Sequence, residues 1–92
     1  MNKTELISKV AERAVLRNSL VSDVINALLE VASEELAAGE KIKLTGFGNF
    51  EVKKRAARQA KNPQTGEAIS IPATKVPVFK PGKALKDAVK NG

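Results

Sequence analysis

The chain contains no cysteine, histidine, tryptophan or tyrosine, and only three of its 92 residues are phenylalanine. Without cysteine it can form neither a disulfide framework nor a thiolate zinc site, which indicates a reducing cytosol. Without histidine or cysteine, catalysis would need a carboxylate pair or a serine with a lysine base, and Glu34, Glu35 and Glu40 are typical of a solvated helix face. We therefore expect no catalytic residue, no metal site and no cofactor. The scarcity of aromatic residues also argues against stacking on single-stranded nucleic acid as the main binding mode.

Long apolar runs are missing as well. None approaches the roughly 20 residues that a membrane-spanning helix needs, and the start, MNKTELISK, lacks the apolar region of a signal peptide. We expect a cytoplasmic protein with no membrane attachment. A chain of 92 residues suits one small domain with a marginal core, which a partner subunit would enlarge.

Positive charge is concentrated in the second half of the chain. Residues 1–40 carry four basic and seven acidic side chains, whereas residues 41–92 carry twelve and three, so the two net charges are −3 and +9. Such asymmetry predicts a polyanionic partner, and nucleic acids are the commonest polyanions in a cytosol. A basic surface that only keeps the protein soluble is the alternative.

Two amphipathic helices are predicted within residues 1–40. Thr4 is a candidate N-cap of the first helix, with Glu5 in its first turn. Asn18 or Ser19 can cap the second helix, and Gly39 suits the left-handed position after its end. Apolar residues cover too much of the second helix for the short first helix to bury, so we assign residues 1–40 to dimerisation.

The period of the apolar residues changes to two after the second helix. Ile42 and Leu44 predict a half-buried strand, and GFGNF turns the chain into a second strand that starts near Asn49 with Phe50 and Val52 inward. The residues that we assign to the core of the dimer are Leu28, Leu29, Ile42, Leu44, Phe47, Phe50 and Phe79.

The return strand, AISIPATKVPVF, becomes apolar only towards its end, at Val76, Val78 and Phe79. Residues 53–75 are mostly alanine, polar or charged, with Ile69 and Ile71 the only large apolar side chains, so this segment cannot form a core. It predicts a projecting two-stranded β-ribbon arm over about residues 53–75, mobile alone and ordered on a partner.

The tip of this arm has the chemistry of a turn. Asn62 and Pro63 suit its first two positions, and Gly66 allows a positive φ. An ordinary turn is one interpretation of Pro63. The other is a rigid apolar wedge that unstacks a base step and kinks the duplex, while arginines of the ribbon enter the minor groove.

The segment PGKALKDAVKNG predicts a short C-terminal helix. Ala84, Leu85, Ala88 and Val89 share one face, which we expect to pack inward. The opposite face presents Lys83, Lys86 and Lys90.

Four segments resemble the bacterial histone-like HU proteins: MNKTELI at the start, GFGNFEVKKRAAR at 46–58, NPQTGE at 62–67 and IPATKVPVFKPGKALKDAVK at 71–90. The resemblance spans the chain and favours HU over the related integration host factor. It implies an α+β fold with an N-terminal helical hairpin, a three-stranded antiparallel sheet, a protruding two-stranded β-ribbon arm and a short C-terminal helix, in an intertwined dimer. One sequence leaves a homodimer and a mixed dimer both open.

The resemblance also implies a function and its residues. The family binds and bends duplex DNA in the nucleoid with little sequence specificity and so compacts it, with a preference for bent, nicked or mismatched duplexes and weaker binding to RNA. The proline between base pairs would be Pro63, flanked by Asn62 and Gln64. Arg55, Arg58 and Lys61 would line the minor groove, and phosphates would be reached by Lys53, Lys75, Lys80, Lys83 and Lys86.

The chain departs from the family pattern in three places. Where many members have a Gly-Leu-Ser-like helix connection, this chain has AVLRNSL, with Val15 and Arg17. Leu28 and Leu29 stand in the second helix in place of a phenylalanine. Lys61 replaces what is often an arginine, which predicts weaker groove insertion there.

Two other functions remain open on the residues alone. An RNA-binding protein of ribosomal type would share the basic arm but prefer structured RNA. A dimeric scaffold would carry its basic surface only for solubility or to protect a sheet edge.

Overall fold

The computed structural model describes residues 1–92 and contains three helices and five strands. In chain order these are α1 (Lys3–Ala14), α2 (Asn18–Ala37), β1 (Ile42–Leu44), β2 (Gly48–Arg55), β3 (Arg58–Lys61), β4 (Ala68–Ile71), β5 (Thr74–Pro81) and α3 (Lys83–Asn91). The chain divides into two compact units, Met1–Glu35 and Leu36–Gly92. None of the helices combines the length and apolarity needed to cross a membrane.

The start of α1 differs from the prediction. Asn2, and not Thr4, is the N-cap, because its side chain accepts a hydrogen bond from the Glu5 backbone N–H at 2.9 Å. Thr4 lies inside the helix. An asparagine two residues earlier provides the side-chain oxygen that an N-terminal turn needs, and asparagine caps at least as well as threonine.

The end of α1 is a Schellman turn with a valine in the left-handed position. Val15 has φ 57° and ψ 49°, and its N–H donates to the Glu12 carbonyl at 3.3 Å. The N–H of Leu16 donates to the Ala11 carbonyl at 2.9 Å. These two bonds complete the motif that usually places glycine here, so a β-branched residue occupies a strained backbone conformation.

The start of α2 also departs from the prediction. The Val21 N–H donates to the Arg17 carbonyl at 3.2 Å, so both proposed caps, Asn18 and Ser19, lie within the helix. The Asn18 amide instead donates to the Ser8 hydroxyl at 3.3 Å.

The far end of α2 is as predicted. Gly39 has φ +84°, and its N–H donates to the Leu36 carbonyl at 3.0 Å. Glycine tolerates this left-handed conformation without strain, which ends the helix before β1.

Very little of the chain is buried. Ala11 at 2% exposure and Val21 at 4% are its only buried hydrophobic side chains. Fifteen large hydrophobic side chains are exposed, among them Val24 at 58% and Leu28 at 55% on α2. The single chain therefore leaves the apolar stripe of α2 uncovered.

The sheet of the second unit has the order β1-β2-β5 and is antiparallel throughout. Phe50 pairs with Ile42 on one side and with Phe79 on the other. Gly48 begins β2 opposite Pro81, and a Cβ there would lie 2.7 Å from the Lys80 carbonyl oxygen. Only glycine fits this approach of two backbones.

The apolar residues of β5 are divided between the two sheet faces. Phe79 lies opposite Phe50, whereas Val78 lies opposite Glu51 and Val76 opposite Lys53. Because side chains alternate along a strand, Val76 and Val78 lie on the face away from Phe79. The apolar end that the sequence predicts for this strand is therefore divided between the two faces of the sheet.

The C-terminal helix α3 follows β5 after Gly82. Its Leu85 is half-buried, but Val89 is 76% exposed. The prediction that this helix packs its apolar face inward is therefore wrong for Val89 within one chain.

Candidate nucleic-acid interface

The arm begins where β2 and β5 extend beyond the short strand β1. Its first rungs pair Lys53 with Val76, Lys54 with Lys75 and Arg55 with Thr74. Lys54 and Lys75 are both exposed and stand directly opposite each other. Like charges in this position repel, so this rung favours an anion between them.

The ribbon is interrupted after this rung. The ladder of β2 and β5 ends at Arg55 and Thr74, and a separate two-stranded sheet pairs β3 with β4 from Arg58 opposite Ile71. Pro72 lies in the gap and has no N–H to donate to a ladder. The predicted continuous return strand is therefore two strands.

The outer ribbon formed by β3 and β4 has two different faces. Arg58 pairs with Ile71 and Ala60 with Ile69, and since alternate rungs share a face, these four form what we call the isoleucine face. The opposite face, called the glutamine face, consists of Gln59, Lys61, Ala68 and Ser70. The predicted groove residues Arg58 and Lys61 therefore belong to opposite faces.

The tip is a closed loop built on Asn62. The Asn62 N–H donates to the Glu67 carbonyl at 2.8 Å, and its own carbonyl accepts from Gly66 at 2.7 Å. Its side-chain oxygen accepts from the Gln64 N–H at 2.9 Å. Gly66 has φ +73°, as the turn chemistry predicts.

Pro63 is exposed at this tip and Gln64 lies beside it, also exposed. The side chain of Asn62 is held by the loop itself, since its oxygen is occupied by the Gln64 N–H. The tip therefore presents a rigid pyrrolidine ring at the end of a basic ribbon.

A carboxylate bridges two lysines across the three-stranded sheet. The Glu51 oxygens lie 2.8 Å from the Lys41 ammonium and 2.8 Å from the Lys80 ammonium. Hydrogen bonds from Lys41 and then from Lys80 lower the pKa of Glu51 to about 2. Lys80, a predicted phosphate contact, is therefore already paired in the free chain.

Two features of this surface were not predicted from the sequence: the Lys41–Glu51 ion pair and the position of Lys54 directly opposite Lys75. A signal was available for the first, because Glu51 is the only acidic residue in 41–66. The facing of Lys54 and Lys75 depends on the strand register, which no local pattern reveals.

The remaining predicted phosphate contacts lie outside the arm. Lys83 and Lys86 are exposed on α3, the helix that follows β5. The structure thus brings the arm residues together on one ribbon and leaves these lysines on a separate helix.

The predicted dimer core is open in the single chain. Leu28, Leu29 and Phe47 are about half exposed, at 55%, 48% and 47%. Leu44 and Phe79 are likewise exposed, and Ile42 and Phe50 are half-buried. Their assignment to a dimer interface stays a prediction.

Comparison with known proteins relates the whole chain to one family. The family model described as bacterial DNA-binding protein matches residues 1–90. DNA-binding protein HU of Geobacillus stearothermophilus is 58% identical over 90 residues, which cover 98% of this chain and 100% of the relative. The Staphylococcus aureus protein of the same name is 59% identical with the same coverage.

Solved structures agree with this relationship. HU of Anabaena, in a cocrystal structure with DNA, has a TM-score of 0.90 and 42% identity, with 100% of both chains covered. HU of Thermotoga maritima has a TM-score of 0.70 and 39% identity, covering 97% of this chain and 98% of its own. The chain belongs to the HU family of bacterial DNA-binding proteins.

Proposed function

We propose that this chain is a single HU-type domain over residues 1–92 that forms a homodimer and binds duplex DNA with little sequence specificity. Its arms lie in the minor groove and bend or kink the duplex, and this compacts and stabilises DNA in the cytoplasmic nucleoid. The proposal includes no catalytic role, no metal and no cofactor. It is supported by the family membership of the chain and by the chemistry of the arm.

The observation that carries this proposal is an exposed basic ribbon that ends in an exposed proline. A two-stranded ribbon is narrow enough to follow a groove, and guanidinium groups suit the strongly negative minor groove. Phosphate contacts release counterions and give affinity without sequence preference. The facing Lys54 and Lys75 ammonium groups would gain from a phosphate between them.

We assign the residues of the interface to three roles. Pro63 is the wedge, and Asn62 and Gln64 hold and flank it. The groove is lined by Arg55, Arg58 and Lys61, and the contacts to phosphates come from Lys53, Lys75, Lys80, Lys83 and Lys86. To bind a phosphate, the Lys80 ammonium has to break its ion pair with Glu51.

Bending follows from the wedge and the cations together. Unstacking one base step costs a few kcal/mol, which the additional contacts along the bent duplex offset. A nick or mismatch lowers that cost, because the stack is already weakened. The proposed preference for nicked and mismatched duplexes has this origin.

A second copy of the chain is the proposed cover for the apolar surface. Several large apolar side chains of α2 are exposed in the single chain, and residues 1–40 carry a net charge of −3 that does not favour a polyanion there. Light scattering at micromolar concentration should give the mass of two chains. A folded species with the mass of one chain would contradict the dimer.

The decisive experiment is a binding titration of an intact duplex of roughly 30 base pairs beside the same duplex with a nick, at low and moderate salt. We expect tighter binding to the nicked duplex and a steep fall of affinity with salt. A flat salt response would remove phosphate binding as the driving force. A duplex RNA competitor of the same sequence should displace the DNA poorly, and efficient displacement would favour the RNA-binding alternative.

A matched pair of double variants separates the arm from the general charge. Arg55→Ala with Arg58→Ala should lower the log-log salt slope by about 1.8, because each arginine in the groove displaces about as many counterions as one phosphate contact does. Arg13→Ala with Arg17→Ala removes the same charge from the helical unit and should leave the slope near that of the unaltered protein. Equal binding by the unaltered protein and the arm variant would support the scaffold alternative.

A further inference from the structure

One face of the three-stranded sheet collects lysines around a single carboxylate. Asn49 pairs with Lys43 on one side and with Lys80 on the other, so these residues share a rung across β1, β2 and β5. Because side chains alternate along a strand, Glu51 and Lys53 lie on the same face as that rung. We call this the lysine face, and its cations are Lys41, Lys43, Lys53 and Lys80.

Glu51 holds two of these cations at once. One of its carboxylate oxygens lies 2.8 Å from the Lys41 ammonium, and the other lies 2.8 Å from the Lys80 ammonium. The Glu51 side chain is largely covered, whereas the side chains of Lys41 and Lys80 are about half exposed. The carboxylate is therefore shielded from water, while both lysines can be reached from outside.

The two ammonium groups form a binding geometry for an anion. Since they converge on the two oxygens of one carboxylate, they can hold two oxygens of a phosphate group in the same way. Lys43 and Lys53 on the same face are exposed and form no ion pair. A polyanion that approaches the lysine face thus meets two free cations and two that Glu51 already holds.

We propose that Lys41 and Lys80 form a phosphate site on the lysine face, which the Glu51 carboxylate occupies in the free protein and leaves when a duplex binds. The proposal rests on the proposed function. It adds Lys41 as a phosphate contact and Glu51 as the residue that opposes occupation of this site.

The opposition has a simple physical origin. An entering phosphate has to displace the carboxylate, because the two anions would repel each other between the same lysines. The displaced carboxylate is then partly covered and has lost both partners, which costs free energy. Glu51 therefore lowers the affinity for DNA, while in the free protein it prevents repulsion between the two ammonium groups.

The test measures the affinity of the full-length protein for the nicked DNA duplex by fluorescence anisotropy. Glu51→Gln keeps the size of the side chain and removes its charge. Glu40→Gln is the matched control, because it removes the same charge next to Lys41 in the chain, from an exposed side chain that forms no ion pair. Circular dichroism checks that each variant is folded.

We expect Glu51→Gln to bind the duplex roughly fivefold more tightly than the unaltered protein, because two ion pairs no longer have to break. Glu40→Gln should change the affinity by less than about twofold, since it releases no lysine.

A double-mutant cycle separates the release of the lysines from a general repulsion between Glu51 and DNA. In Lys41→Gln with Lys80→Gln, no ammonium group remains to be released, so the additional change Glu51→Gln should alter the affinity by less than about twofold. General repulsion would give the same gain in both backgrounds. Lys80→Gln alone leaves one ion pair and should give an intermediate gain, which keeps the cycle available if the double variant fails to fold.

Two results would overturn the inference while leaving the proposed function intact. One is equal affinity of Glu51→Gln and the unaltered protein. The other is an undiminished gain from Glu51→Gln when the lysines have been replaced. Failure of the unaltered protein to bind any duplex would overturn the proposed function itself, and this inference with it.

Discussion

Phe50 and Phe79 lie directly opposite each other on β2 and β5, with ring centroids 4.8 Å apart and ring planes inclined at 39°. The Phe79 ring also covers Gly48, where its Cε1 and Cζ atoms lie 2.8 Å from the position that a Cβ would occupy. Phe47 completes the cluster, with its ring centroid 5.6 Å from that of Phe79. The packing of this aromatic cluster therefore requires a residue without a side chain at position 48.

Replacement of Gly48 should therefore destabilise the protein. In Gly48→Ala the new methyl group meets the Phe79 ring and the Lys80 carbonyl oxygen, so the ring or the strand has to move. We expect a loss of about 2 kcal/mol in the free energy of unfolding. Urea denaturation measures it, with Lys43→Ala on the exposed edge strand as a control that should shift the midpoint little.

Replacement of Val15 should have the opposite effect. Val15 is 88% exposed and has φ 57°, so Val15→Gly relieves backbone strain and loses little packing. We expect the free energy of unfolding to rise by about 1 kcal/mol. This is the relieved strain less the cost of the greater freedom of glycine in the unfolded chain.

Thermal or urea unfolding tests this prediction beside Arg13→Gly, an exposed position within α1. Arg13→Gly should lower the free energy of unfolding by about 1 kcal/mol, because glycine is a poor helix former. Destabilisation by Val15→Gly would show that the valine side chain contributes packing that outweighs the strain.

Acid should weaken the fold through Glu51. Its pKa is lowered from the usual 4.5 to about 2 by Lys41 and Lys80, so the unfolded chain binds a proton at a higher pH than the folded chain. The stabilisation is therefore complete above pH 4.5 and is lost as the pH falls towards 2.

Urea unfolding at a series of pH values should show this loss, and Glu51→Gln should reduce the slope in that range. High salt should also reduce the dependence of stability on pH in this range, since both lysines are accessible to counterions. An identical acid slope in Glu51→Gln and the unaltered protein would mean that other carboxylates control acid unfolding.

The bend should depend on Pro63. Pro63→Ala removes the ring at the tip but keeps the loop bonds of Asn62, so we expect the fold and most of the affinity to be retained while bending decreases. End-to-end FRET on a labelled duplex measures the bend.

Pro72→Ala is the matched control, because it removes a proline of the same arm away from the tip. It should leave the transfer efficiency as in the unaltered protein. Equal transfer efficiency with Pro63→Ala would leave Pro63 as a turn residue only.

Local chemistry explains which predictions were correct. The turn at the arm tip was predictable because Asn62, Pro63 and Gly66 encode it within five residues. The end of α2 at Gly39 was predictable for the same reason. The N-caps were not, because several adjacent residues can cap a helix and the competition between Asn2 and Thr4 is decided by backbone geometry.

The features of the sheet that the sequence left undetermined have a different cause. The division of Val76 and Val78 from Phe79, and the pairing of Lys54 with Lys75, both depend on the register between strands distant in sequence. The interruption of the ribbon at Pro72 was open to prediction from the missing N–H, and the pairing on both sides of it was predicted with the arm.

The amino-acid sequence by itself determined the element types, the basic arm, its turn and the family, because periodicity, charge and turn residues act over short stretches of chain. Only the tertiary structure decided which side chains share a face. It placed Arg58 beside the isoleucines and Lys61 beside Gln59, and it brought Glu51 between Lys41 and Lys80. The physical reason is that a strand alternates its side chains, so one step in register exchanges every residue between the two faces.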